Sequence, residues 1–189
     1  MHRYRFSALL LAGLVAGCAT ASSHRPVEVL DERTGVTFAS LKQPIELVPN
    51  AEGAILGKRS SFAYLGPVEW DRMGGISYSL WVHIAPGTDH QAVDVHSAAA
   101  VSLVLDDGSL TLSPVEIPKL GHDPYQAAVP WGQTVYFDLN VGMLKKMASS
   151  QKFELDVRAT DDSTLRFFPT YPARATLLEY MHSRGITDD

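Results

Sequence analysis

Residues 75–85 read Gly-Ile-Ser-Tyr-Ser-Leu-Trp-Val-His-Ile-Ala, and their alternation predicts the fold class of the chain. Apolar side chains that recur at every second position are typical of a β-strand with one face in a core. The residues expected on the apolar inner face are Ile76, Tyr78, Leu80, Val82 and Ile84, which alternate with Ser77, Ser79, Trp81 and His83. We therefore expect one long strand at this point of the chain.

The same pattern recurs elsewhere in the sequence. In residues 153–159 apolar side chains alternate with charged ones, which predicts a strand with one face in water. Asp107-Gly108 lies between two apolar runs and indicates a hairpin turn. Shorter strands are expected at 36–38, 45–48, 62–70 (interrupted at Gly66-Pro67), 135–139 and 165–168. About eight strands separated by turns predict a mainly β fold, either an antiparallel β-sandwich or an open barrel.

Two segments have helical periodicity instead. Asn140 is a good N-cap for a short helix near 141–149, in which Met143, Leu144 and Met147 share one face. A C-terminal helix is expected near 172–184, because Pro172 favours a first turn and Gly185 favours a helix end. The apolar stripe expected to dock this second helix consists of Leu177, Leu178 and Met181.

The longest irregular stretch, residues 113–133, contains four prolines and is the most plausible functional loop. The binding candidates are Trp81, Tyr125 and Trp131, since exposed aromatic rings stack on sugars or on apolar side chains of a partner. The alternative is that the loop folds back over the face carrying Trp81 and buries both tryptophans. We favour burial, because large aromatic side chains supply much of a small core.

The best candidate for a metal site lies in residues 89–96, where histidine and aspartate side chains are close together in the sequence. The metal candidates are His90, Asp94 and His96, whose side chains suit zinc or a similar ion. Their spacing matches no metal signature, and neither Gly-x-Ser-x-Gly nor His-Glu-x-x-His occurs. We therefore expect no cofactor and favour a non-enzymatic module, with a metal-dependent or hydrolytic enzyme as the alternative. His83 is expected to be a packed, hydrogen-bonded strand residue.

The N-terminal residues carry the features of an export signal. Two basic residues, Arg3 and Arg5, precede an apolar run that ends in Val15-Ala16-Gly17-Cys18. This run is too short for a transmembrane helix, which needs about 20 apolar residues. An ordinary signal peptide is the closer alternative, but Cys18 is the only cysteine in the chain. The arrangement resembles the lipobox of bacterial lipoprotein precursors.

That resemblance implies cleavage before Cys18 and acylation of Cys18, so that lipid chains anchor the protein in a membrane. Ala19 implies the outer membrane, with the domain in the periplasm. We then expect a signal peptide at 1–17, a lipidated N-terminus and tether at 18–25, and one β-rich domain at 26–189. Loss of Arg3 and Arg5 takes the net charge from −5 to −7, which disfavours nucleic acid. The body is similar to small Gram-negative envelope lipoproteins, and the expected partner is an envelope protein or glycan.

Overall fold

The structure is a computed structural model that describes residues 26–49, 61–85, 93–97 and 99–187. The strands in this part of the chain are β1 (Pro26–Asp31), β2 (Val36–Leu41), β3 (Ile45–Pro49), β4 (Phe62–Arg72), β5 (Gly75–Ala85), β6 (Val101–Leu105), β7 (Gly108–Thr111), β8 (Pro114–Val115), β9 (Gln133–Leu139), β10 (Phe153–Arg158) and β11 (Thr164–Pro169). The helices are α1 (Val141–Ser149) and α2 (Ala173–Ser183). Neither has the length and hydropathy that a membrane-spanning helix requires.

The strands form one antiparallel sheet in the order β7-β6-β10-β11-β3-β4-β5-β9-β8, and the β1–β2 hairpin attaches to β4 beside β3. The two end strands, β7 and β8, are separated in the chain only by Leu112 and Ser113. The Leu112 amide donates to the Val101 carbonyl at 3.0 Å, and the Asp138 amide donates to the Ser113 carbonyl at 2.9 Å. The sheet is curled into a half-barrel, which confirms the prediction of a mainly β, antiparallel fold.

The inner face of the curled sheet holds the apolar half of both alternating runs. Leu80, Val82 and Ile84 of β5 are fully buried, as are Leu155 and Val157 of β10. Each such side chain contributes about 1.5–3 kcal/mol when it is fully buried. The core prediction for residues 153–159 is therefore confirmed.

Both helices lie where the sequence predicts them. The Asn140 side chain accepts from the Met143 amide at 2.9 Å and caps α1. Gly185 follows α2 with a φ of 68°, the left-handed conformation that ends many helices. The Tyr180 hydroxyl of α2 donates to the Ala39 carbonyl of β2 at 3.3 Å, so this helix packs directly on the sheet. The buried residues of α2 are Ala173, Thr176, Leu177, Tyr180 and Met181, with Leu178 half-buried.

β4 runs without a break through Gly66-Pro67, so the expected interruption is wrong. β3 pairs with β4 as far as Leu65, and β2 pairs with it from Val68 onward, which leaves a gap between these two partners. The Pro67 carbonyl accepts a hydrogen bond from Tyr125 at this gap. The nitrogen and carbonyl of one strand residue point to the same side. Pro67 therefore faces the gap, and its missing N–H costs no hydrogen bond of the sheet.

β5 is buried on both faces along its second half. Ser79, Trp81 and His83 are each exposed by 2 % or less. Tyr125 packs on Trp81 and Gly132 lies against His83, and Trp70 Nε1 donates to Ser79 Oγ at 2.9 Å. At the other end of β5, Ile76 is 49 % exposed. The expectation that Ile76 belongs to the core is therefore wrong, because the buried part of the strand begins farther from the β4–β5 turn.

Candidate functional site

A layer of rings lies on the outer face of the sheet and belongs to the hydrophobic core of the domain. Neighbouring ring centroids are 4.9 to 6.0 Å apart, the usual range for packed aromatic side chains. The members of this outer aromatic layer are Phe38, Trp70, Trp81, His83, Tyr125 and Tyr136, all of them buried. The proline-rich loop packs on this layer.

Residues 116–132 form the cover segment, which has no regular secondary structure and lies over this layer. Asp31 Oδ2 accepts from the Gly121 amide at 2.6 Å and from the His122 amide at 3.2 Å. Ser40 Oγ donates to the Pro124 carbonyl at 3.1 Å. These bonds join the cover segment to the β1–β2 hairpin at two points.

Tyr125 provides a third attachment and fills the gap on the edge of β4. Its hydroxyl donates to the Pro67 carbonyl at 2.8 Å and accepts from the Leu41 amide at 3.0 Å. Its ring lies so close to Gly66 that a Cβ there would be 2.3 Å from the hydroxyl oxygen. Burial raises the pKa of Tyr125 well above its ordinary value, so the hydroxyl keeps the proton that it donates.

The Asp31 carboxylate is the electrostatic anchor of the cover segment. Burial alone would raise its pKa, but hydrogen bonds outweigh this and hold the pKa at about 2. The donors are the Thr34 hydroxyl and the amides of Thr34, Gly121 and His122. Asp31 is therefore ionised at neutral pH.

His83 is packed and hydrogen-bonded, as the sequence predicts. Its Nδ1 lies 2.8 Å from Thr134 Oγ1, and its ring stacks on Trp81 with an interplanar angle of 12°. A Cβ on Gly132 would lie 2.3 Å from His83 Nε2, so the end of the cover segment closes directly over the ring. Nε2 itself has no hydrogen-bond partner among the described residues. Burial lowers the pKa of His83, which favours the neutral ring.

The three binding candidates have different environments. Trp81 and Tyr125 are 1 % and 3 % exposed, with ring centroids 4.9 Å apart, so neither presents a surface to a partner. Trp131 is 66 % exposed at the end of the cover segment. The expected burial of both tryptophans is confirmed for Trp81 and wrong for Trp131, because the neighbouring Gly132 packs on His83 and the Trp131 side chain stays outside.

Asp94 and His96 are exposed on a short turn. The Asp94 carboxylate accepts from the His96 amide at 3.2 Å, so it stabilises its own turn. Across the described ranges, no three His, Cys, Asp or Glu side chains converge as a metal site requires. His90 and Cys18 lie outside the described residues, so the structure places neither of them.

Two residues that organise this region are missing from the sequence-based candidates. Asp31 stands in the turn of a hairpin, where an aspartate ordinarily stabilises the turn alone. Its second role depends on a segment that lies 90 residues away. Gly66 could have been recognised, because a glycine inside a strand pattern often marks the close approach of another group. The sequence does not show that this group is Tyr125.

Comparison of the chain with protein-family models, with curated proteins and with solved structures gives no significant match.

Proposed function

We propose that this protein is a lipid-anchored envelope lipoprotein whose domain is a non-enzymatic binding or scaffolding module in the periplasm. The anchor is Cys18, the only cysteine, which follows the small residues Val15-Ala16-Gly17 at the end of a short apolar run. The exported chain is held at the outer membrane, and residues 19–25 tether the domain to it.

Trp131 is the residue that carries the binding proposal. It is 66 % exposed, whereas Trp70 and Trp81, the other tryptophans of the sequence, are 4 % and 1 % exposed. A tryptophan presents about 150–250 Å² for contact and loses little conformational freedom on binding. It is also among the side chains that dominate binding energy at interfaces.

The attachments of the cover segment prepare Trp131 for this role. Asp31, Ser40 and Tyr125 hold the segment at three points, and Gly132 seats its end on the His83 ring. A side chain on a backbone that is already ordered pays less entropy when a partner binds. The partner that fits is an envelope protein or glycan that offers an apolar surface or a sugar face to the indole.

The test is site-specific photo-crosslinking in the native envelope. A photoreactive phenylalanine analogue replaces Pro130, the exposed neighbour of Trp131, and the matched control carries it at Lys146, an exposed position on α1. The proposal predicts one defined adduct from position 130 that is absent from position 146, and loss of that adduct when Trp131→Ala is added. Equal labelling at both positions, or an unchanged adduct with Trp131→Ala, would contradict it.

A further inference from the structure

The β4–β5 hairpin ends in a turn that exposes an apolar side chain. Arg72 pairs with Gly75, so Met73 and Gly74 form a two-residue turn with φ values of 55° and 87°. Such turns favour Asn-Gly, because residues with larger side chains are strained at positive φ. Met73 nevertheless occupies the first position, and its side chain is fully exposed.

Two further apolar side chains lie next to this turn on one face of the sheet. Leu30 pairs with Thr37, Thr37 with Asp71, and Asp71 with Ile76, so the four residues form one cross-strand row. Leu30 is 59 % exposed and Ile76 is 49 % exposed. We call Leu30, Met73 and Ile76 the tip patch.

The position of the anchor favours a lipid surface as the occupant of this patch. Pro26 is the first residue of β1. It lies about 20 Å from Met73 along the strand direction and about 10 Å from it across the strands. The tether, residues 19–25, spans at most about 25 Å. When Cys18 is acylated, the tip patch is therefore within reach of the same bilayer.

Two arginines and two carboxylates lie at this end of the sheet. Arg33 and Arg72 are exposed, Glu32 is exposed beside Arg33, and Asp71 stands half-buried in the row of the patch. The Asp71 carboxylate accepts from the Gly74 amide at 2.7 Å, so it is held by the turn. Arginines at the rim of an apolar patch can keep their charged ends at the level of lipid phosphates while their stems lie along the apolar region.

We propose that the tip patch inserts into the periplasmic leaflet of the membrane that holds the anchor, and so fixes the orientation of the domain. This inference rests on the proposed acylation of Cys18. β5 has 11 residues and is about 35 Å long. It connects this end of the sheet to the opposite end, where Trp131 lies. Trp131 therefore points away from the bilayer and toward its partner.

The test uses the mature lipidated protein in vesicles of phosphatidylcholine. Acylation blocks Cys18, so Thr37→Cys, in the same row and on the same face as Leu30 and Ile76, gives a single free thiol for an environment-sensitive fluorophore. Ala128→Cys, an exposed position in the cover segment, is the control. We expect a blue shift and loss of iodide quenching at position 37 and neither change at position 128. Adding Met73→Asn and Ile76→Thr should return the fluorophore at position 37 to water.

The outcomes separate this inference from the proposed function. Protein that floats with the vesicles while the fluorophore at position 37 stays in water overturns membrane insertion and leaves the anchor intact. Shielding of position 37 only in native envelopes, and not in pure lipid, assigns the patch to a protein and also overturns it. Protein that does not float with the vesicles overturns both proposals. Met73→Asn suits the turn, so thermal unfolding should show the variant to be folded.

Discussion

The Tyr125 hydroxyl donates to the Pro67 carbonyl across the gap between β2 and β3, at 2.8 Å. The same oxygen accepts from the Leu41 amide, so one side chain satisfies two buried backbone groups that no strand pairs. Tyr125 therefore completes the sheet at the point where β4 exchanges one partner for the other, and it fixes the cover segment there.

Tyr125→Phe should destabilise the domain by about 1–3 kcal/mol, because a buried donor and a buried acceptor lose their partner. Urea unfolding monitored by circular dichroism gives the change in unfolding free energy. Tyr64→Phe, at a half-buried position of β4, is the matched control and should cost less. Equal costs for the two variants would show that the Tyr125 hydroxyl has no special role.

Gly66→Ala should also be destabilising, by about 1–3 kcal/mol, since the new methyl group would displace the Tyr125 ring. In a Tyr125→Ala background the ring that would clash with the new methyl group is absent. There, Gly66→Ala should stabilise the strand by about 0.5–1 kcal/mol, the ordinary gain over glycine. A double-mutant cycle measures this change of sign, and an identical cost in both backgrounds would refute the close contact.

The pKa of His83 is lowered by burial, so the unfolded chain binds a proton at a higher pH than the folded one. Stability should therefore decrease as the pH falls through the ordinary histidine value of about 6.5. His83→Gln should weaken this dependence, whereas His96→Gln, at an exposed position, should leave it unchanged. Thermal unfolding between neutral pH and pH 5 measures it, and an unaltered profile in His83→Gln would assign the effect to another group.

The folded-state pKa of Asp31 is about 2, below its ordinary value of 3.8. Its ionised form therefore stabilises the fold above pH 4, and this contribution is lost as the pH falls from there toward 2. Asp31→Asn should remove that part of the acid dependence and speed hydrogen exchange at the Gly121 and His122 amides. Asp107→Asn, in the exposed β6–β7 turn, is the control. Unchanged exchange at both amides would exclude Asp31 as the anchor.

The elements of this fold were predictable where local pattern and burial agree. Residues 153–159 alternate strictly, and β10 forms there with its apolar side chains in the core. Asn140 signals the start of α1 through a bond to a residue only three positions away. Such signals lie within one element and need no knowledge of its neighbours.

The remaining features depend on residues far apart in the chain. The Gly66-Pro67 pair looks like a break until the two partners of β4 and the Tyr125 hydroxyl are known. Trp81 stands in an alternating strand pattern and Trp131 in a proline-rich stretch, but neither pattern tells whether the ring is covered. Only the path of the cover segment makes Trp81 buried and Trp131 exposed. Tertiary packing decides such cases, and one sequence does not reveal it.

The lipid anchor is the central feature of the proposed function, and fatty-acid labelling of the full-length protein in a Gram-negative host tests it. The wild-type chain should incorporate labelled palmitate and fractionate with membranes, and Cys18→Ser should lose both properties. Ser22→Ala, in the tether, should retain both. Undiminished palmitate incorporation in Cys18→Ser, or its absence from the wild-type protein, would contradict the identification of Cys18 as the anchor of an envelope lipoprotein.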